Sequence, residues 1–335
     1  MSEAATAPKH VFLIDGSGFI FRAFHALPPM TRPDGTPVNA VYGFTNMLMK
    51  LMEDTDADHI AVIFDAARKT FRSDIYPAYK AQRPPPPEDL VPQFDLIKAL
   101  VEAFNVPSVQ MDGYEADDLI ATYARLARER GADVTIVSSD KDLMQLVTDK
   151  VTMLDTMKNV EIGPEGVVAK FGVGPDKVVE VQALSGDSVD NVPGVPGIGI
   201  KTAAQLILEY GDLETLLARA PEIKQTKRRE NLIEFAEQAR ISRRLVQLKN
   251  DVPVDRDLDS FALQDLDVDR VTAFLREQGF KSVVARIESR HGAAPSTVAA
   301  PKAEAAYELV QDEAALSRWI AAAVREGQVA FDTET

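Results

Sequence analysis

Nine acidic residues stand where short apolar runs end or helical stretches begin. Asp15 closes Val11-Phe12-Leu13-Ile14, Asp65 closes Ile60-Ala61-Val62-Ile63-Phe64, and Asp140 and Asp142 follow Val134-Thr135-Ile136-Val137. Glu115, Asp117 and Asp118 open a helical pattern, and Asp187 and Asp190 precede a glycine-rich turn. Carboxylate oxygens suit hard divalent cations such as Mg²⁺ and Mn²⁺. Two such ions, roughly 4 Å apart, stabilise the attacking and leaving oxygens of an in-line phosphoryl displacement. No single helix can surround two ions, so recruitment from several segments is what this chemistry requires. The four histidines (His10, His25, His59, His291) lack the spacing of a zinc motif. Each acid also has a plainer reading as a helix cap, a dipole partner or a turn residue. Repetition of the pattern at four separate element ends favours the metal cage. A summed charge of −9 exceeds what two dications neutralise, so some acids must stand back from the ions or hold raised pKa values, with ion affinity falling at acid pH.

The three apolar runs predict buried strands of a mainly parallel sheet, whose carboxyl edge is where ligands bind. Residues 10–182 alternate strand and helix patterns, as an α/β layer fold does. Helices are expected over Asn39–Met52, Glu88–Phe104 and Ala116–Arg130, the last with acids in its first turn and Gly131 as its stop. Residues 183–290 read as a helical subdomain, and His291–Ala306, rich in Ala, Pro and Ser, as a linker. Beyond it, Tyr307-Glu308-Leu309-Val310, a helix over Asp312–Arg325, and Gln328-Val329-Ala330-Phe331 running into Asp332-Thr333-Glu334 suggest the start of another domain over 307–335. Residues 1–9 read as a disordered polar tail without the apolar core of a signal peptide.

The absence of cysteine excludes a disulfide framework and fits a reducing cytoplasm, and no apolar run approaches a membrane span. A net charge of −15 argues against a nucleic-acid partner until its distribution is considered. Ala66–Arg83 carries five bases against Asp74, a local +4, and Lys224–Lys249 carries eight bases against three acids, a local +5. Acids flanked by basic stretches fit an enzyme that grips a phosphate backbone and hydrolyses it.

Gly194-Val195-Pro196-Gly197-Ile198-Gly199-Ile200-Lys201-Thr202 is not a P-loop, because its lysine arrives one residue late, and no strand precedes it. It fits a tight turn between helices, where Gly197 and Gly199 let backbone N–H groups meet a phosphate at the start of a helix over Lys201–Leu208.

These motifs together resemble the 5′ nuclease domain of bacterial DNA polymerase I and the flap endonuclease superfamily. The matching segments are Leu13-Ile14-Asp15-Gly16, Phe19–Ala26, Val62–Asp65, Phe71-Arg72, Tyr79–Arg83, Gly113–Asp118, Ser139–Leu143, Gly186–Asn191 and Pro193–Ala203. The resemblance implies a PIN- or resolvase-like α/β domain with helices on both faces of the sheet, a flexible arch over 66–92, and a helical DNA-binding subdomain with a helix-hairpin-helix turn. It implies Mg²⁺-dependent hydrolysis at 5′ ends, nicks, RNA primers and flaps of DNA, with two ions and Mn²⁺ able to substitute. Asp15, Asp65, Glu115 and Asp117 would hold one ion; Asp140, Asp142 and Asp187, helped by Asp118 or Asp190, the other. Lys80 and Arg83, with Arg22 and Arg72, would contact the scissile phosphate, and Tyr79 would either stack on an unpaired base or pack as a loop aromatic. Gly194, Gly197, Gly199 and Lys201 would hold the duplex, in the family often with a bound K⁺. The expected chain is a cytoplasmic monomer continuous with 3′–5′ exonuclease-like and polymerase domains. A stand-alone 5′ nuclease, a PIN-like ribonuclease, and a non-catalytic DNA-junction-binding module are the alternatives.

Overall fold

The computed structural model describes residues 8–291 and 310–326. Six strands form one sheet: β1 (His10–Asp15), β2 (His59–Ile63), β3 (Ser108–Val109), β4 (Asp133–Val137), β5 (Val151–Asp155) and β6 (Val160–Ile162). Their order is β3-β2-β1-β4-β5-β6, parallel except for the antiparallel edge strand β6. In β1, Val11 and Leu13 enter one core while Phe12 and Ile14 enter another. This two-residue period puts side chains on opposite faces of a sheet covered on both sides. Strands β1, β2 and β4 lie where the apolar runs predict them; β3 and β6 are short, and β5, as long as β2, is not among the predicted runs.

The helices are α1 (Gly16–Ala26), α2 (Asn39–Asp54), α3 (Phe71–Ile75), α4 (Val91–Ala103), α5 (Ala116–Glu129), α6 (Pro164–Phe171), α7 (Val178–Ser185), α8 (Ile200–Tyr210), α9 (Leu213–Ala218), α10 (Thr226–Glu234), α11 (Ala236–Val246), α12 (Val268–Glu277) and α13 (Lys281–Arg290). In α5, Leu119, Ile120, Tyr123, Ala124 and Ala127 recur at helical spacing and are buried against β1 and β4. The same core takes in α6 to α9. On the other face, α1, α2 and α4 cover the sheet.

Packing links distant parts of the chain. Val271 and Leu275 of α12, with Val283, Val284 and Ile287 of α13, are buried in the core formed by β1, α2 and α4. One core thus takes in α7 to α11 with one face of the sheet, and α12 and α13 close over the other face. An amphipathic pattern shows that a helix has an apolar stripe, but not which partner buries it.

Among the described residues, 8–291 belong to one compact unit and 310–326 to a second. In the second, α14 (Glu313–Glu326) occupies the expected helical stretch, with Asp312 accepting from the Ala315 N–H at 2.8 Å. Of the expected tail over 1–9, residues 1–7 lie outside the described residues, while Lys9 is tied in, its N–H donating to Asp58 at 3.0 Å and its carbonyl accepting from the Asp133 N–H at 2.8 Å. Most of the linker, Tyr307–Leu309 of the expected strand, and Gln328–Phe331 with Asp332-Thr333-Glu334 also lie outside the described residues. Among the described residues, no helix is long and apolar enough to cross a membrane.

Candidate metal centre and nucleic-acid interface

The parallel strands deliver their acids to one edge. Asp15 ends β1 and caps α1: its Oδ1 accepts from the Gly18 N–H at 2.8 Å and its Oδ2 from the Ser138 hydroxyl at 2.9 Å. A Cβ at position 18 would lie 2.5 Å from Asp15 Oδ2, so the cap requires glycine there. Asp65 follows β2; its N–H donates to Ser17 Oγ at 3.0 Å and its Oδ1 accepts from the Ala116 N–H at 2.8 Å, at the start of α5. Beyond β4, the Asp140 N–H donates to Ser138 Oγ at 3.0 Å, and the Asp142 N–H donates to Asp140 Oδ1 at 2.9 Å. Ser138 therefore joins the ends of two neighbouring strands through one hydroxyl.

Glu115, just ahead of α5, is buried; its Oε2 accepts from Lys80 Nζ at 2.8 Å and the Tyr79 hydroxyl at 3.2 Å. Asp117 accepts no hydrogen bond among the described residues. Burial and the neighbouring charges of Asp140 and Asp15 push its carboxyl well above the usual range. Burial raises Asp15 to about 6, against the Gly18 N–H and Ser138 hydroxyl that lower it, with Asp65 and Asp140 adding repulsion. Burial and Asp140 also raise Asp142. Asp187 goes the other way, because Lys141 and the Val189 N–H outweigh its burial.

Lysines supply positive charge between these acids. Lys80 Nζ reaches both Glu115 and, at 3.5 Å, Asp190. Lys141 Nζ pairs with Asp187 and lies 3.3 Å from Asp142. Both ammonium groups are held above their ordinary pKa: burial opposes the charge, and the adjacent acids overcome it. Asp142 rises even beside the charged Lys141, because its burial and the charge of Asp140 outweigh the ammonium.

Among the described residues, no three acids or histidines converge at ion-ligating distance. Like charges at that distance repel strongly, so the acids lean instead on lysines, hydroxyls and N–H groups. The donor set still fits a hard dication: it is all oxygen, drawn from four chain segments, with Asp15, Asp117 and Asp142 raised toward protonation first by burial and then by neighbouring acids.

Residues 78–83 dock on the loop 187–192. The Lys80 N–H donates to the Asp190 carbonyl at 2.9 Å, Asn191 Nδ2 to the Ala78 carbonyl at 2.6 Å, and Gln82 Nε2 to the Val189 carbonyl at 3.0 Å. Arg83 pairs with Asp190. Lys80 holds a left-handed backbone (φ 53°), a strained conformation kept by these contacts.

Residues 10–172 match the N-terminal resolvase-like domain of the 5′–3′ exonucleases, and residues 173–269 match their C-terminal SAM fold. The chain belongs to the 5′–3′ exonuclease family. It is 47% identical to DNA polymerase I of Rhizobium leguminosarum, over 97% of this chain and 40% of that protein. It therefore spans about two-fifths of the length of that relative. It is 36% identical to a 5′–3′ exonuclease of Aquifex aeolicus, covering 84% of this chain and 96% of that one. Its fold matches the T5 D15 protein co-crystallised with metal ions (TM-score 0.61, 23% identity, 83% of this chain and 99% of that one). It also matches the catalytic core of Rad2 in complex with DNA substrate (TM-score 0.58, 16% identity, 84% of this chain and 93% of that one).

Within this exonuclease fold, four of the expected site residues take other work. Asp118 is fully buried, and its two oxygens accept from Arg72 (2.7 and 2.8 Å), the Lys249 N–H (2.8 Å) and the Glu115 N–H (3.1 Å). Four donors use all its lone pairs, leaving none for an ion. Arg72 is 1% exposed and also donates to the Leu245 and Gln247 carbonyls, so it has no path to a phosphate. Tyr79 packs with Val192, Leu245 and Val246 instead of offering its ring to a base. Gly194 is buried, and a Cβ there would run into Gly186, so it closes the turn from inside and presents nothing to a duplex.

Arg22 donates to Thr156 Oγ1 at 2.6 Å, beside the β5–β6 connection. Gly197 is exposed in the turn, and Gly199 caps α8 with open space where its side chain would be. Lys201 is exposed on the first turn of α8, whose leading N–H groups lack a side-chain cap. Ser17 and Ser138 were not singled out from the sequence. Their one signal is a small hydroxyl residue two positions from an acid at a strand end.

Proposed function

We propose that this chain is a Mg²⁺-dependent 5′ nuclease that hydrolyses phosphodiesters at 5′ ends and flaps of DNA. The observation carrying the reading is the edge where Asp15, Asp65, Asp117 and Asp140 meet with too little positive charge among them. Asp15, Asp65, Glu115 and Asp117 would hold one divalent ion, and Asp140, Asp142 and Asp187, with Asp190 nearby, a second. Ions bound there supply charge stabilisation to the attacking and leaving oxygens of the displacement. The chain's own groups position the rest. Ser138 fixes Asp15 relative to Asp140. Lys80, held charged beside Glu115, faces the phosphate that these acids would address and offsets its developing charge. Arg83, half-exposed, extends that contact.

The α8 N-terminus with Gly199 and Lys201 would receive a backbone phosphate of the duplex, with K⁺ able to share the exposed turn. The basic stretch Lys224–Lys249 would lengthen the grip, which carries no base-specific code. Metal ions named with T5 D15 and DNA named with Rad2 are consistent with both ligands on this fold. The identity to DNA polymerase I supports a nuclease working within a polymerase chain in replication and repair. Near-complete coverage of the Aquifex exonuclease supports a second reading, a domain that also functions by itself.

The test is cleavage of a labelled double-flap DNA by the purified chain, with Mg²⁺ and with chelator. Release of the 5′ flap only with Mg²⁺ is the expected result. Cleavage that persists in chelator, or binding with no cleavage at any Mg²⁺ concentration, would overturn the reading.

A further inference from the structure

Lys141 stands at the first position of the short helix Lys141–Leu146, between acids from two different elements. Its ammonium pairs with Asp187 Oδ2, in the loop after α7, and lies 3.3 Å from Asp142 Oδ1 on its own turn. The remaining contacts of these acids are fixed and neutral. Asp142 Oδ1 accepts from Gln182 Nε2 at 2.5 Å, and Asp187 Oδ1 accepts from the Val189 N–H at 2.8 Å. Gln182 is 2% exposed, and its Oε1 has no hydrogen-bond partner among the described residues, so the amide is committed to Asp142 through Nε2 alone. A cation bridging Asp142 and Asp187 would have to share these two carboxylates with Lys141 Nζ, which already lies between them.

We infer that Lys141 is a built-in cation competing for the second divalent-ion position, so that this chain loads its two ions unequally. The inference rests on the two-ion reading of the site. Lys80 does not play the same part on the other side: it reaches Glu115 and Asp190 from a strained, docked backbone. The Lys141 side chain is one-third exposed on a flexible four-carbon stem and can swing into solvent when an ion enters. A purely structural tether between the turn and the loop makes the opposite forecast, since cutting it would loosen the acids and weaken ion binding.

Mn²⁺ titration of the full 335-residue chain without DNA, followed by calorimetry and by the paramagnetic resonance of free Mn²⁺, separates the possibilities. The wild type should show one strong and one weak site. Lys141→Met should tighten the weak site about tenfold or more while moving the strong one about twofold or less. Lys141→Arg, which keeps the charge, should leave the weak site weak. An unchanged or weakened second site in Lys141→Met overturns the inference, with circular dichroism checking the fold and Lys141→Gln as the replacement should the Met variant not fold. Asp117→Asn distinguishes this failure from failure of the site itself. If Asp117→Asn abolishes the strong site while Lys141→Met changes nothing, competition by Lys141 is wrong and the metal centre stands. If the wild type binds no Mn²⁺, both fall.

Discussion

The guanidinium of Arg72 meets the carboxylate of Asp118 in a two-pronged pair, 2.7 and 2.8 Å, with both side chains shut off from solvent. The same guanidinium donates to the Leu245 carbonyl, so α3, α5 and the end of α11 are held at one point. Removing one member leaves an unpaired buried charge, a loss of about 3–5 kcal/mol. Arg72→Met and Asp118→Asn are each expected to lower stability by about that much in urea titrations. The pair changed together should cost less than the two changes summed. An Arg72 variant of native stability that has lost only cleavage would restore the phosphate-contact role.

Asp117 should behave in the opposite sense. It carries a charge that its neighbours Asp140 and Asp15 repel. Asp117→Asn is expected to abolish Mg²⁺-dependent cleavage, leave flap binding largely intact, and raise the melting temperature measured in chelator. Asp140→Asn should share the loss of cleavage. Normal turnover in either variant would refute the assignment of these acids.

Ion binding should strengthen with pH. Folding raises Asp15 from the ordinary 3.8 to about 6, so between those values the ion-free folded chain holds a proton that the unfolded chain has released. The Asp15 contribution to stability is therefore present below about pH 4 and lost as pH rises through 6. An ion reverses that loss by pairing with the carboxylate. The Mg²⁺-induced gain in melting temperature should grow from pH 5 to pH 7, and a gain independent of pH would remove Asp15 from the site.

Lys80→Ala is expected to slow single-turnover cleavage by about 10²-fold, the effect of removing one preorganised charge from a transition state. Flap affinity should change far less. An unaltered single-turnover rate would leave Lys80 as a partner of Glu115 and nothing more.

Salt should weaken DNA binding with a slope of roughly 0.9 per phosphate contacted on duplex DNA. Lys201→Ala should reduce that slope by about one contact, without changing preference among duplex sequences. A slope equal to that of the wild type would mean that the start of α8 does not touch the backbone.

Much of this molecule is legible in its sequence because local pattern encodes local geometry. Apolar runs specified β1, β2 and β4, and whatever follows the end of such a run must emerge at one edge of a parallel sheet. That is why the positions of Asp15, Asp65 and Asp140 could be argued before any coordinates. Helical spacing and an acid-rich first turn specified α5 in the same way.

Other assignments depended on partners far away in the chain. Glu115, Asp117 and Asp118 share one motif, yet Glu115 meets Lys80, Asp117 meets other acids, and Asp118 is consumed by Arg72. Successive helix positions point about 100° apart, so the surrounding elements decide which acid faces the site. Packing likewise buried Tyr79 and Gly194, recruited Ser138 and Gln182, and brought α12 and α13 into the core of α2 and α4. The sequence by itself determined that acids would gather at one edge. Only the tertiary structure decided which remain available to an ion, because saturation of a carboxylate depends on donors that the chain brings in from elsewhere.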